Sequence, residues 1–262
     1  MAHFSRLLHP VVLTILGASI VAAQQAPSTE GQKHWGYHEE EGAVPPAAWG
    51  TLPGAALCGT GHQQSPINLV STAPRGTGAG PKFDYHPSSL AIVNNGHTVQ
   101  MTTDPGSTIA VGGKTYKLAQ FHFHAPSEHT VDGQHFPLEI HLVHINEANQ
   151  PAAVVGIMVK EGSANSVIDQ PMNQLPSEEG KTTTFKGPFS LSALPSSSGG
   201  FWHYAGSLTT PPCTEGIQWF VMVNPIEMSP KEISEFASLP HMAETARPIQ
   251  ALGDRKLEIL AR

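Results

Sequence analysis

Interruptions to regular structure are closely spaced along this chain, and that spacing excludes more folds than any other feature. The 262 residues include 25 Gly and 23 Pro, so about one residue in five breaks a helix or a strand ladder. Helical bundles and coiled coils need long runs of helix formers and are excluded. Between the breaks lie short alternating or apolar runs: Leu90–Val93, His97–Thr102, Thr108–Val111, Leu118–His124, Leu138–Ile145, Ala152–Lys160 and Ile217–Val223. Each is bounded by Gly, Pro, Asn or Asp, and each reads as a strand. Two short helices are expected, over Ser163–Leu175 and Pro230–Ala237. The second carries Ser229 as N-cap, Pro230 at the first helical position and Glu232 three residues past the cap. Residues 71–81 and Ser196–Gly200 read as exposed loops. No internal repeat and no long linker divides the chain, so one β-dominated domain over 33–262 is expected.

The N-terminus reads as an address. Arg6 precedes the apolar run Pro10–Ala23, which ends in Val21-Ala22-Ala23 before polar Gln24-Gln25. This is the pattern of a signal peptide over 1–23, followed by a flexible segment over 24–32. The apolar run is shorter than the ~20 residues of a spanning helix, so no membrane span is expected in the mature chain. Export places the protein in the periplasm, or outside the cell where the host has no outer membrane. In an oxidising compartment the two cysteines, Cys58 and Cys213, can pair; two buried free thiols are the alternative. The formal net charge of -7 leaves no basic surplus for phosphate, so nucleic acid is not an expected partner.

The 15 His outnumber the 14 Lys and Arg combined, and their placement carries the chemistry. In Gln120-Phe-His-Phe-His124 the strand period puts His122 and His124 on one face and Phe121 and Phe123 on the other. In Leu138–Ile145, Glu139, His141 and Val143 share a face and His144 points away. If the two strands pair antiparallel, His141 completes a three-His set, which with an open fourth position is a catalytic zinc arrangement. Packed core histidines are the alternative for each residue alone. Glu139, two residues from His141, can accept the second ring N–H of a metal-bound imidazole. Glu128 follows in a turn, where spacing alone says nothing. Gly206–Cys213, with Thr209, Thr210, Pro211 and Pro212, reads as a stiff loop holding hydroxyls, suited to a site wall; a structural loop pinned by a disulfide is the alternative.

Taken in order, Gln120-Phe-His-Phe-His124, Ser127-Glu-His-Thr130, Glu139-Ile-His-Leu-Val-His144 and Ser207-Leu-Thr-Thr-Pro-Pro212 resemble the α-class carbonic anhydrases of exported bacterial type. His34-Trp-Gly-Tyr37, Gln64-Ser-Pro66, Asn94-Asn-Gly-His97 and Arg247-Pro248 extend the resemblance from about residue 34 to 255. It implies an α+β, β-dominated fold: a single domain with a large central twisted, mostly antiparallel sheet and a few short helices. It implies one zinc ion per chain on His122, His124 and His141, with Gln120 and Glu139 behind the ligands. Thr209 would lie between zinc-bound hydroxide and Glu128, donating its proton to the carboxylate. His97 corresponds to the proton shuttle, and Tyr37, Asn95 and Gln100 to the residues that hold its water chain. Val143, Val154, Leu208 and Trp219 correspond to the apolar wall for carbon dioxide, with Thr210 beside Thr209. Cys58 and Cys213 correspond to the disulfide of exported members. The implied reaction is reversible hydration of carbon dioxide to bicarbonate and a proton. Sulfonamides and small anions are the implied inhibitors, and a homodimer is compatible with the resemblance. Ala125-Pro126 and Ile145 depart from the vertebrate pattern and resemble the bacterial and plant branches.

Overall fold

The structure, a computed structural model, describes residues 34–38, 42–194 and 199–262. The expected signal peptide, the segment over 24–32 and most of the Ser196–Gly200 loop lie outside the described residues. The strands in chain order are β1 (Asn68–Leu69), β2 (Arg75–Ala79), β3 (Lys82–Asp84), β4 (Ser88–Asn94), β5 (Val99–Thr103), β6 (Thr108–Val111), β7 (Lys114–His124), β8 (Thr130–Val131), β9 (Leu138–Ile145), β10 (Pro151–Glu161), β11 (Thr182–Phe189), β12 (Phe201–Ser207), β13 (Glu215–Met222), β14 (Ile226–Met228) and β15 (Glu258–Ala261). The α-helices are short: α1 (Leu57–Thr60), α2 (Asp169–Met172) and α3 (Pro230–Ala237).

One 13-stranded sheet runs β11-β4-β5-β7-β9-β10-β13-β12-β15-β2, with β14 beside β10, and β3 and β6 extending from β7. Most of its ladders are antiparallel. β10 runs parallel to β13 and β14, and β15 runs parallel to β2, which makes the sheet mixed. Because successive strand residues face opposite ways, the sheet separates two cores. Phe121, Phe123, Ile140, Leu142, Val155, Ile157 and Phe220 enter the larger one. Val143, Val154, Met158, Tyr204, Ile217, Trp219 and Val221 enter the smaller. The histidines of interest stand on the side of the smaller core.

Most of the expected elements are present, and the departures have physical causes. The strand expected from His97 starts at Val99, because Asn95 Oδ1 accepts the backbone N–H of both His97 and Thr98 and holds them in a turn. The helix expected over Ser163–Leu175 is one turn, α2. Asn165 folds the segment before it by accepting the N–H of Val167 and Ile168. Its own N–H is bonded to buried Glu232. The loop expected over 71–81 contains β2, an exposed edge strand. Its glycines hide it from a propensity reading, yet a Cβ at Gly76 would collide with Glu258 and Leu260 of β15. β11, β12 and β15 were not expected. By contrast, α3 has the expected bounds and cap: the Ser229 side chain accepts the Glu232 N–H, and the Glu232 carboxylate accepts the Ser229 N–H.

Candidate metal centre

Register brings the histidines together. β7 and β9 are antiparallel with His122 opposite His141 and His124 opposite Glu139. The three imidazoles therefore meet on one face, and one ring nitrogen of each lies within 4.8 Å of the others. Backing residues fix which nitrogen that is. His124 Nδ1 lies 2.6 Å from the Thr245 carbonyl, which can only accept, so Nδ1 carries the hydrogen and Nε2 the lone pair. His122 Nδ1 lies 2.8 Å from Gln120 Oε1, which leaves its Nε2 for the centre. His141 places Nε2 3.0 Å from Glu139 Oε1 and turns Nδ1 inward, 3.8 Å from Glu128 Oε2.

Electrostatics prepare the three rings for a cation. Burial pushes His122 well below its usual pKa, His124 down to about 4, and His141 down as well. All three are neutral at pH 7, as metal ligation requires. His124 Nε2 is buried without a hydrogen bond, an arrangement that costs free energy unless something binds it. Neutral imidazoles with converging lone pairs, their second nitrogens hydrogen-bonded in His122 and His124 and facing Glu139 in His141, fit zinc or a similar borderline ion.

Behind the ligands runs a buried chain of hydrogen bonds. Glu139 accepts the His129 backbone N–H at 2.8 Å and faces its Nδ1 at 2.8 Å. His129 Nε2 meets the Tyr204 hydroxyl at 2.6 Å, and Tyr204 meets Ser65 Oγ at 2.9 Å. His129, Glu139 and His141 also cluster as acceptors and donors, but both His129 nitrogens are engaged, so that cluster serves the ligand set rather than a second ion. Glu139 ionises more readily than a free carboxyl despite burial, because His129 and His141 face it. Its space depends on Gly156 of β10, where a Cβ would come within 2.9 Å of Glu139 Oε1. The spacing rules gave no sign of Gly156 or of Thr245, which contributes through its backbone. His129 was visible only as part of the Ser127–Thr130 motif.

Glu128 is fully buried. Its Oε1 accepts the Arg247 N–H at 2.9 Å, and its Oε2 lies 3.5 Å from His124 Nε2 without a hydrogen bond of ordinary geometry. Burial raises its pKa to about 7, while His141 and the Thr209 hydroxyl pull it down. Thr209 sits in the loop after β12, closed by Leu208 N–H to Thr214 O and Cys213 N–H to Thr210 O. The loop is tied by the disulfide Cys58–Cys213. Val143, Val154 and Trp219 are buried in the smaller core, and Leu208 packs on it. Thr210 is half-buried. Gln100 stands opposite His122 on β5.

The N-terminal aromatic residues flank His97. Its ring lies flat on Trp35, centroids 3.7 Å apart, and Tyr37 packs edge-on against Trp35 and Trp49. Burial there, with His34 nearby, pushes His97 down to about 4. The unperturbed value near neutrality that suits a shuttle is not the value of this ring position. Asn95 Oδ1 is spent on the turn described above.

Known proteins resemble this chain in sequence and in fold. Residues 44–260 match the family model described as eukaryotic-type carbonic anhydrase. The chain is 41% identical over 223 residues to a carbonic anhydrase of Pectobacterium carotovorum, covering 85% of this chain and 89% of that protein. It is 39% identical over 239 residues to the enzyme of Pectobacterium atrosepticum, covering 91% and 96%. The solved α-carbonic anhydrase of Thermovibrio ammonificans, in complex with the inhibitor sulfanilamide, superposes with a TM-score of 0.81 at 36% identity, covering 87% of this chain and all of that one. The chain belongs to the eukaryotic-type, or α-class, carbonic anhydrase family. It is an enzyme of that family, a carbonate dehydratase.

Proposed function

We propose that this protein hydrates carbon dioxide reversibly to bicarbonate and a proton, using one zinc ion held by His122 Nε2, His124 Nε2 and His141 Nδ1. The observation that carries the reading is the convergence of three neutral imidazoles within 4.8 Å on one sheet face. When bound, zinc supplies the Lewis acidity that makes water ionisable near neutral pH, an effect for which carbonic anhydrase is itself the reference example. The chain's own residues do the rest. When Glu128 is ionised it can only accept, so the Thr209 hydroxyl then donates to it and offers its oxygen to the reacting centre. That fixes a direction of approach. Val143, Val154, Leu208 and Trp219 form an apolar surface beside the ligands, suited to a nonpolar triatomic substrate, with Thr210 at its edge. Gln120 and Glu139 hold the tautomers of His122 and His141.

His97 is proposed to carry the proton outward, along a path lined by Tyr37, Asn95 and Gln100. In its stacked, buried position the ring is a weak base, so a more exposed position suits it better for taking a proton near pH 7. Replacing His97 by Ala should slow turnover in weak buffer, with recovery on adding imidazole; an unaltered rate removes His97 from the path. Sulfonamides and small anions are proposed to compete at the metal. Residues 1–23 are proposed to direct export to the periplasm, or outside the cell in a host with no outer membrane, which accords with the disulfide. Among the described residues no helix is long and apolar enough to cross a membrane.

Stopped-flow carbon dioxide hydration by the purified mature chain, with and without a sulfonamide, tests the proposal. Fast hydration abolished by the sulfonamide is expected. Background hydration from protein holding one zinc per chain would overturn it.

A further inference from the structure

Arg247 belongs to the Arg-Pro motif, yet no role follows for it from the reaction. It is 2% exposed, and burying a guanidinium is costly unless its donors are met. Three of its hydrogen bonds go to one short segment. Nη1 donates to Gln64 Oε1 at 2.9 Å and to Ser65 O at 2.8 Å, and Nη2 donates to Cys58 O at 3.0 Å. The guanidinium carbon also lies 5.8 Å from the Trp49 ring centre. All three acceptors lie in the segment that runs from the disulfide cysteine Cys58 to Ser65.

The backbone of the same residue does different work. Residues 244–252 belong to no helix or strand, so no ladder fixes their position. Thr245 anchors one point by accepting His124 Nδ1–H and by exchanging bonds with Ala125. Two residues on, the Arg247 N–H holds Glu128 Oε1, and Pro248 has no N–H to substitute for it. We propose that Arg247 is a positioning residue for the Glu128–Thr209 pair: its guanidinium, seated on residues 58–65, holds this strap where its N–H fixes the Glu128 carboxylate. The proposal rests on the reading that this pair takes part in hydration.

The test uses the full mature chain, zinc-loaded and metal-free. In R247A, hydrogen exchange at the residue 247 amide of the metal-free protein should speed at least about tenfold, with the amides of β9 unchanged. Hydration by the zinc-loaded variant should fall about tenfold at one zinc per chain, since small misplacements cost rate. R247K, which keeps the charge without the planar fork, should lie between. The double variant R247A/E128Q should be no slower than E128Q alone, the signature of two residues acting as one. If R247A does not fold, Gln64→Leu removes one acceptor and should speed the same amide by a smaller factor. Wild-type exchange at residue 247 in these variants, or losses that add, would overturn the proposal. Wild-type hydration by E128Q would instead sink the reading of the pair, and with it any kinetic consequence of Arg247. Unchanged exchange beside a slow E128Q would sink the Arg247 proposal alone.

Discussion

His141 and His144 stand three residues apart on β9 and face opposite sides of the sheet. Both are buried completely or nearly so, and burial lowers the pKa of both. His141 meets two other imidazoles and two carboxylates. His144 looks into the larger core, where Tyr85 hydroxyl lies 2.9 Å from its Nε2 and the two rings stack. A buried neutral imidazole is therefore not in itself a sign of a metal. What separates the two faces is convergence: ring nitrogens whose partners leave lone pairs aimed at one point.

The largest effects should divide along that line. His141→Ala, or His122→Ala, should cut zinc from one per chain to near none and hydration to background, read by metal analysis and stopped flow. His144→Leu should keep its zinc and its rate. Zinc retained by the His122 and His141 variants, or lost from the His144 variant, would break the comparison. A second, smaller effect sharpens it. Glu139→Gln leaves the ligands in place but loosens the backing of His141, and should weaken zinc about 10- to 100-fold in competition against a chelator. An unchanged affinity would reduce Glu139 to a core carboxylate.

The two faces also differ in how far the sequence discloses them. Alternation in Gln120–His124 and in Leu138–Ile145 was enough to put His122 and His124 on the face away from Phe121 and Phe123, and His141 on the face away from His144, because the strand period is strict. That His141 shares the face of His122 and His124 depended on the antiparallel register of β7 and β9. The Ser229 cap of α3 was legible for the same reason: a local rule with one physical cause. Glu128 was silent as spacing, and Thr209 stood only in a stiff loop suited to a site wall; their pairing was visible only through resemblance, since it depends on a contact between distant loops. Thr245 and Arg247 act on the site through a carbonyl and an N–H, which every residue but proline possesses. β2 was missed because its glycines serve a close approach to β15 rather than strand propensity.

The smallest effect concerns the far face alone. His144→Leu strands the Tyr85 hydroxyl in the core and should cost about 1–3 kcal/mol. Tyr85→Phe combined with His144→Leu removes both partners and should recover most of that loss. The pH dependence has a definite sign. His144 has a folded value of about 3, against about 6.5 when exposed. Between these values the unfolded chain binds a proton that the folded chain does not, so stability at this position is complete above about pH 6.5 and falls as pH drops toward 3. Urea unfolding of the metal-free protein at pH 7.5 and 4.5 isolates this from zinc release. The loss between the two pH values should be smaller in His144→Leu than in wild type by about 2–3 kcal/mol. Equal losses in the two proteins would mean that His144 takes up its proton without unfolding, and the far face would then be no drier for an imidazole than the face that gathers the ligands.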